Sequence, residues 1–229
     1  MTVVDMHHVF LLKAKVLDRT DIKNTLSYDI STLLNNAQQS IIDELIANKQ
    51  WDLLRPLIES LSITGAAFDS YVSGINSDGE GNCITVRTVK LSTLSTTVMT
   101  FRNYVRSQSK ITRTKTPEVI AETLVQNEEI SKNLIGDFEI NGSNYPIFTN
   151  PKCFLEGDYL VVMGDYYTNI GTVAVIVVRH PKTMDLITAD STRVTTCELP
   201  AHLHDAVVDR AVQIFGETVN INDVKQKGQ

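Results

Sequence analysis

Apolar residues recur through the early part of the chain at helical spacing. Val3, Met6, Phe10, Leu11, Ala14 and Leu17 fall mostly three or four apart and predict a short amphipathic helix over residues 3–17. Ile30, Leu33, Leu34, Ala37, Ile41 and Leu45 form a longer stripe, with Asn35, Gln38, Gln39 and Asp43 lying mostly off it. Ser27 suits the N-cap of that second helix, because a hydroxyl there accepts a hydrogen bond from an orphan amide of the first turn. Asn48 and Lys49 suit its end. Residues 51–61 read as a third helix, with Pro56 either starting or kinking it.

The pattern changes after Gly65. The stretch NSDGEGN over 76–82 reads as an exposed loop. From Cys83 to Arg113 the chain is rich in Thr and Val with partial alternation, which predicts strands with one wet face. Residues 117–135 return to helix, with Pro117 in the first turn, Glu118 at the positive end of the dipole and Gly136 after the stop. A loop over 141–151 precedes two nearly continuous apolar runs, 158–163 and 172–178, joined by GDYYTNIG. They read as a hairpin buried on both faces, in a core or against a neighbouring subunit. Pro200 opens a last helix, with Leu203, Val207, Ala211, Ile214 and Thr218 on one face and Asp205, Asp209, Gln213 and Glu217 on another. The tail over 220–229 is polar and is expected to be loose. The order predicts an α+β fold: N-terminal helices, a central mixed or antiparallel β-sheet with an inserted helix, and a C-terminal helix. The expectation is a single domain over 1–219, helical over 1–62, β-rich over 63–198 with a helix near 117–135, and helical again over 199–219.

Composition narrows the function class a little. The chain has 229 residues, 42% of them hydrophobic and 21% charged, as in an ordinary globular protein. A net charge of −6 disfavours overall attraction to nucleic acid or an anionic membrane and leaves a local basic patch as the route to either. No apolar run reaches about 18 residues, so no membrane-spanning helix is expected. The opening MTVVDMHHVFLLKAKVLD has no basic leading region and no small-residue cleavage site, so it does not read as a secretion signal. Cys83, Cys153 and Cys197 are far apart and form no CxxC pair, which predicts reduced thiols.

Each candidate for chemistry has a structural counter-reading. His202, His204 and Asp205 resemble a metal-binding HxH segment, the basis of an alternative reading as a metal-dependent hydrolase. At the start of a helix, however, positions i and i+2 point to different sides. His7 and His8, near Asp5, diverge for the same reason. His180 precedes Pro181 at a strand end, with no nucleophile or second ligand nearby in sequence. The loop starting at Asn76 fails as a calcium loop because its twelfth position is Arg87 where a carboxylate is needed. Gly79-Glu80-Gly81 is followed by Ile84 where a third glycine would stand, and Asn141-Gly142-Ser143 marks a surface loop. Arg102, Arg106, Lys110, Arg113 and Lys115, interleaved with Phe101 and Tyr104, outline a nucleic-acid strip; the counter-reading is the solvated face of strands and a loop.

Several segments resemble one family. VVRHPKTMDL over 177–186 is a strand with an R-x-P-K turn, and CELPAHLHDAVVDRAV over 197–212 follows it. In this order they resemble the C-terminal half of head-to-tail connector or ring proteins of crAss-like and related tailed phages. Ser27 to Ile30 with LLNNAQQSIIDEL over 33–45 is similar to the N-terminal helix of those proteins, and PEVIAETLVQNEEISKNLIGDF with YPIFTNP to their middle. Residues 62–112 contribute least, and Ala206 and Val207 replace an acidic residue and isoleucine commoner in the family. The resemblance implies a structural virion protein: a homo-oligomeric ring below the portal, twelve copies being the number that matches a portal. Its expected partners are the portal and other neck or tail ring proteins, with passing contact to channel DNA through the strip at 102–115, and no membrane. A tail terminator or another neck or tail subunit is the near variant. The family pattern carries no catalytic residues, cofactor or metal, so none is expected here. Assembly would take place in the cytoplasm of the bacterial host.

Overall fold

The computed structural model describes residues 1–15, 27–64, 68, 85–94, 101–115, 118–130, 149–165, 168–186 and 193–227. The fold is α+β, and the chain divides into two compact units where a single domain was expected. One unit comprises Met1–Ile58 with His180–Gln229, the other Glu59–Arg179.

The described residues of the first unit form three helices, α1 (Val3–Lys15), α2 (Ser27–Ala47) and α3 (His204–Lys227). Helix α1 starts in a capping box. Thr2 Oγ1 accepts from Asp5 N at 3.2 Å, and the Asp5 carboxylate accepts from Thr2 N at 3.0 Å. Helix α2 ends in a Schellman motif: Gln50 N donates to Leu45 O and Lys49 N to Ile46 O, with Lys49 at φ 54. Met6 and Phe10 of α1, Leu34 and Ile42 of α2, and Leu54 and Leu57 beyond it are buried. Phe10 meets Phe215 of α3 edge to face, with ring centroids 5.8 Å apart. Asp205, Asp209, Gln213 and Glu217 of α3 are exposed, as their spacing predicts, and Val207, Val208 and Ala211 are buried. Backbone helix continues to Lys227, through most of the tail expected to be loose.

Two N-terminal expectations need correction. Residues 51–61 do not form a helix; turns lead to a 3-10 turn at Arg55–Leu57 and then to strand β1 (Ile58–Thr64). Pro56 sits inside that short turn, where its missing amide costs little. The buried face of α2 keeps Ile30, Leu34, Ala37 and Leu45 of the expected stripe but is rotated at two positions. Gln38 is 1% exposed, and Ile42 rather than Ile41 is fully buried.

Among the described residues the second unit is a sandwich of two four-stranded sheets. One has the order β1, β8 (Thr168–Arg179), β3 (Phe101–Lys115), β4 (Glu118–Gln126). The other has the order β2 (Thr85–Lys90), β7 (Tyr159–Gly164), β6 (Lys152–Glu156), β5 (Glu128–Glu129). Ile111, Val173, Val175 and Val177 from the first sheet meet Val89, Cys153, Leu160 and Val162 from the second in a shared core. On the other side of the second sheet Val161 and Met163 pack with Phe154.

Two more corrections follow from this arrangement. The helix expected over 117–135 is strands β4 and β5 in its described part, while residues 131–135 lie outside the described residues. Val119, Ile120, Leu124 and Val125 belong to a strand paired antiparallel with β3, so pairing has overridden the helical signals at Pro117 and Glu118. The expected hairpin of the two apolar runs is also absent, because β7 and β8 lie in different sheets. The chain changes sheet just after Gly164, where a Cβ would stand 3.1 Å from Thr168 Cγ2 and 3.2 Å from Thr168 O. The true hairpin joins β6 to β7 through Gly157 and Asp158, with Gly157 at φ 56. Both apolar runs are buried by the fold and do not offer the open subunit faces that they suggested.

Both amide atoms of Gln38 are buried and make no hydrogen bond. Replacing it by leucine removes two uncompensated polar groups from the helical core. Gln38→Leu is therefore expected to raise the free energy of unfolding by about 1–3 kcal/mol in denaturant titrations. An equal loss would show that the amide is satisfied in solution.

Candidate functional site

The segment after β8 carries the histidines and the turn singled out by sequence. Strand β9 (Thr183–Met184) pairs parallel with β10 (Arg193–Val194), and Asp185 N donates to Val194 O. Its other edge is met by side chains. Asn35 of α2 accepts from Met184 N at 2.8 Å and donates to Met184 O at 2.9 Å, so one amide replaces a neighbouring strand. Glu198 accepts from Lys182 N at 2.6 Å. Arg193 pairs with Asp185 at 2.6 Å. These polar residues hold the backbone from Lys182 to Asp185, and periodicity gave no sign of their roles.

His202 and His204 are not brought together as ligands. His202 is exposed in a 3-10 turn at Ala201–Leu203, and Asp205 is exposed in the first turn of α3. His204 is buried, and both its nitrogens are engaged. Its Nε2 lies 2.8 Å from Leu199 O and its Nδ1 lies 2.7 Å from the Met1 amine. A ring whose Nε2 donates to a carbonyl keeps its Nδ1 lone pair for that amine. Among the described residues no group of three His, Cys, Asp or Glu side chains converges as a metal site.

His7 is buried and shares a hydrogen bond of 3.0 Å with Ser31 Oγ, while His8 is exposed. Burial holds the His7 imidazole below its ordinary range, the nearby His8 adds to the effect and Asp185 opposes it. The Asp5 carboxyl is lowered by its hydrogen bonds with Thr2. His180 is half-buried beside a buried Pro181.

The residues of the basic strip lie along β3. Three register shifts interrupt its pairing with β8. Tyr104 and Phe101 are partly buried and pack against the sandwich core. Arg106 and Lys110 are exposed, and Arg113 donates to Thr149 O. The side chain of Lys115 lies outside the described residues.

A buried polar knot that sequence reasoning missed lies behind this strand. Asn127 Nδ2 and the Tyr104 hydroxyl donate to Ser107 Oγ at 2.9 and 3.2 Å, and Ser107 Oγ lies 3.6 Å from Cys153 Sγ. Burial pushes the Tyr104 hydroxyl and the Cys153 thiol above their ordinary ranges, which suits a structural network of neutral groups better than a nucleophile. Cys153 and Cys197 are free, buried thiols, and burial pushes Cys197 up to about 11. Cys83, the loop at 76–82 and the sequon at 141–143 lie outside the described residues.

No helix among the described residues is long and apolar enough to cross a membrane. Comparison with protein-family models finds no match, and neither does comparison with curated proteins.

His7 gives this region a pH signature. Its folded-state affinity for a proton is below that of the unfolded chain, so the unfolded state binds more protons below about pH 6.5. The His7 contribution to stability is present above that pH and is lost as pH falls through the folded value. A His7→Gln variant is expected to show a flatter loss of stability than the parent as pH falls below about 6.5 in thermal unfolding. Parallel curves would remove His7 from the account.

Proposed function

We propose that this chain is a structural subunit of a tailed-phage virion, a connector or adaptor that assembles as a ring at the head-to-tail junction. The resemblance of residues 27–30, 33–45, 117–138, 145–151, 177–186 and 197–212 to connector proteins supports this class. Portal and further neck or tail proteins are the partners it implies, with homo-oligomeric contacts around the ring.

One observation carries the reading on the physical side. Helix α1 buries Val3, Met6 and Phe10 but leaves Val4 48% and Leu12 63% exposed, with exposed His8 between them at four-residue steps. Two large apolar residues in line on one helix face are what a subunit keeps for a neighbour. On the sandwich, Leu124 of β4 is 59% exposed on a strand at the end of its sheet. An edge strand of this kind suits contact between copies.

The test is incorporation. Mass spectrometry of purified phage particles is expected to find the chain in several copies per particle. Leu12→Glu and Leu124→Glu are expected to lower that number at least about tenfold while leaving the melting temperature near that of the parent. A chain missing from parent particles would overturn the proposal, and full incorporation of both variants would remove these surfaces from it.

A further inference from the structure

The chain enters the sandwich unit at Glu59 and leaves it at Arg179. Glu59 is the second residue of β1 and Arg179 the last of β8, and these strands are neighbours in one sheet. A long excursion therefore begins and ends on adjacent strands. At that point Arg179 Nε lies 3.0 Å from Glu59 Oε1. The arginine side chain is 9% exposed and the glutamate 28%, so the pair is largely withdrawn from water. A guanidinium buried to this degree is costly without an anion beside it.

The surrounding strand makes the pair matter. β1 lies at the edge of its sheet, and Ile63 is its single fully buried residue, near its far end. Ile58, Glu59 and Leu61 are half-buried, and Ser60 and Ser62 are exposed. The first half of β1 thus has little apolar burial to hold it against β8. An edge strand with few buried contacts belongs to the part of a fold that opens first.

We infer that Glu59–Arg179 is a clasp closing the two ends of an inserted sandwich module, locking the start of β1 onto the end of β8. When the clasp is released, β1 detaches locally while the sandwich core stays folded. The edge of β8, strand-paired on both sides in the closed state, is then open to another strand.

Native-state hydrogen exchange on the full-length protein tests this. Glu59→Gln is expected to speed exchange of the β1 amides at least about tenfold, with β7 amides at Leu160–Val162 unchanged. Glu59→Asp, which keeps the charge on a shorter arm, is expected to fall between parent and Glu59→Gln. It also serves if the glutamine variant fails to fold. The exchanged pair Glu59→Arg with Arg179→Glu is expected to recover part of the protection. Exchange rising equally in β1 and β7 would make the pair a general contributor to stability and overturn the clasp. Unchanged β1 exchange in Glu59→Gln and Glu59→Asp would overturn it too.

Discussion

Leu160, Val161, Val162 and Met163 follow one another along β7, and all four are buried. A strand turns successive side chains to opposite faces, so such a run has to be covered on both sides at once. Leu160 and Val162 are covered by the sheet that contains β8, and Val161 and Met163 pack with Phe154 on the far side of their own sheet. This double coverage separates β7 from β8. Were they hairpin partners in one sheet, Leu160 and Val162 would lose the opposing valines of β8 that bury them. At the change of sheet Gly164 avoids crowding Thr168, and at the β6–β7 hairpin Gly157 takes a positive φ that glycine favours. The layout of the sandwich follows from that one requirement.

The helical unit is organised differently. Its apolar stripes bring α1, α2 and α3 together, but polar side chains on α2 decide what else is held. Ser31 takes His7, Asn35 takes the backbone of Met184, and Ser40 accepts from Arg210 of α3 at 3.1 and 3.2 Å. These bonds have directions and single partners, whereas apolar contact tolerates sliding. Residues 182–184 therefore form a turn and short strand whose outer edge is held by Asn35 and Glu198, and His204 at the start of α3 serves packing through its two engaged nitrogens.

The helices α1, α2 and α3 were legible because their period is written in apolar residues. The α+β class and the strands of β3, β7 and β8 were legible for the same reason. What failed to show is instructive. Residues 118–126 carry helix-start signals, yet β3 offers them a paired edge, and no local signal reports a partner distant in sequence. The hairpin error has the same origin, since adjacency in sequence favoured β7 with β8 while the core required them apart. The Thr2–Asp5 capping box and the Gly157-Asp158 turn were readable from spacing and were missed. The roles of Asn35, Ser107 and Asn127 depend on distant partners and left no pattern to read. At 202–205 His202 is exposed in a 3-10 turn and His204 is buried at the start of α3. At 102–115 alternation alone hid the three register shifts along β3.

The proposed role joins these parts through surfaces that the fold leaves open, the line of Val4 and Leu12 on α1 and the edge at Leu124. The most direct measurement is a cryo-electron microscopy reconstruction of the particle at side-chain resolution around the head-to-tail junction. The account predicts a ring of density at that junction into which the three-helix unit and the two-sheet unit each fit, with Leu12 and Leu124 at contacts between subunits. A resolved junction whose rings are all accounted for by other chains would contradict it.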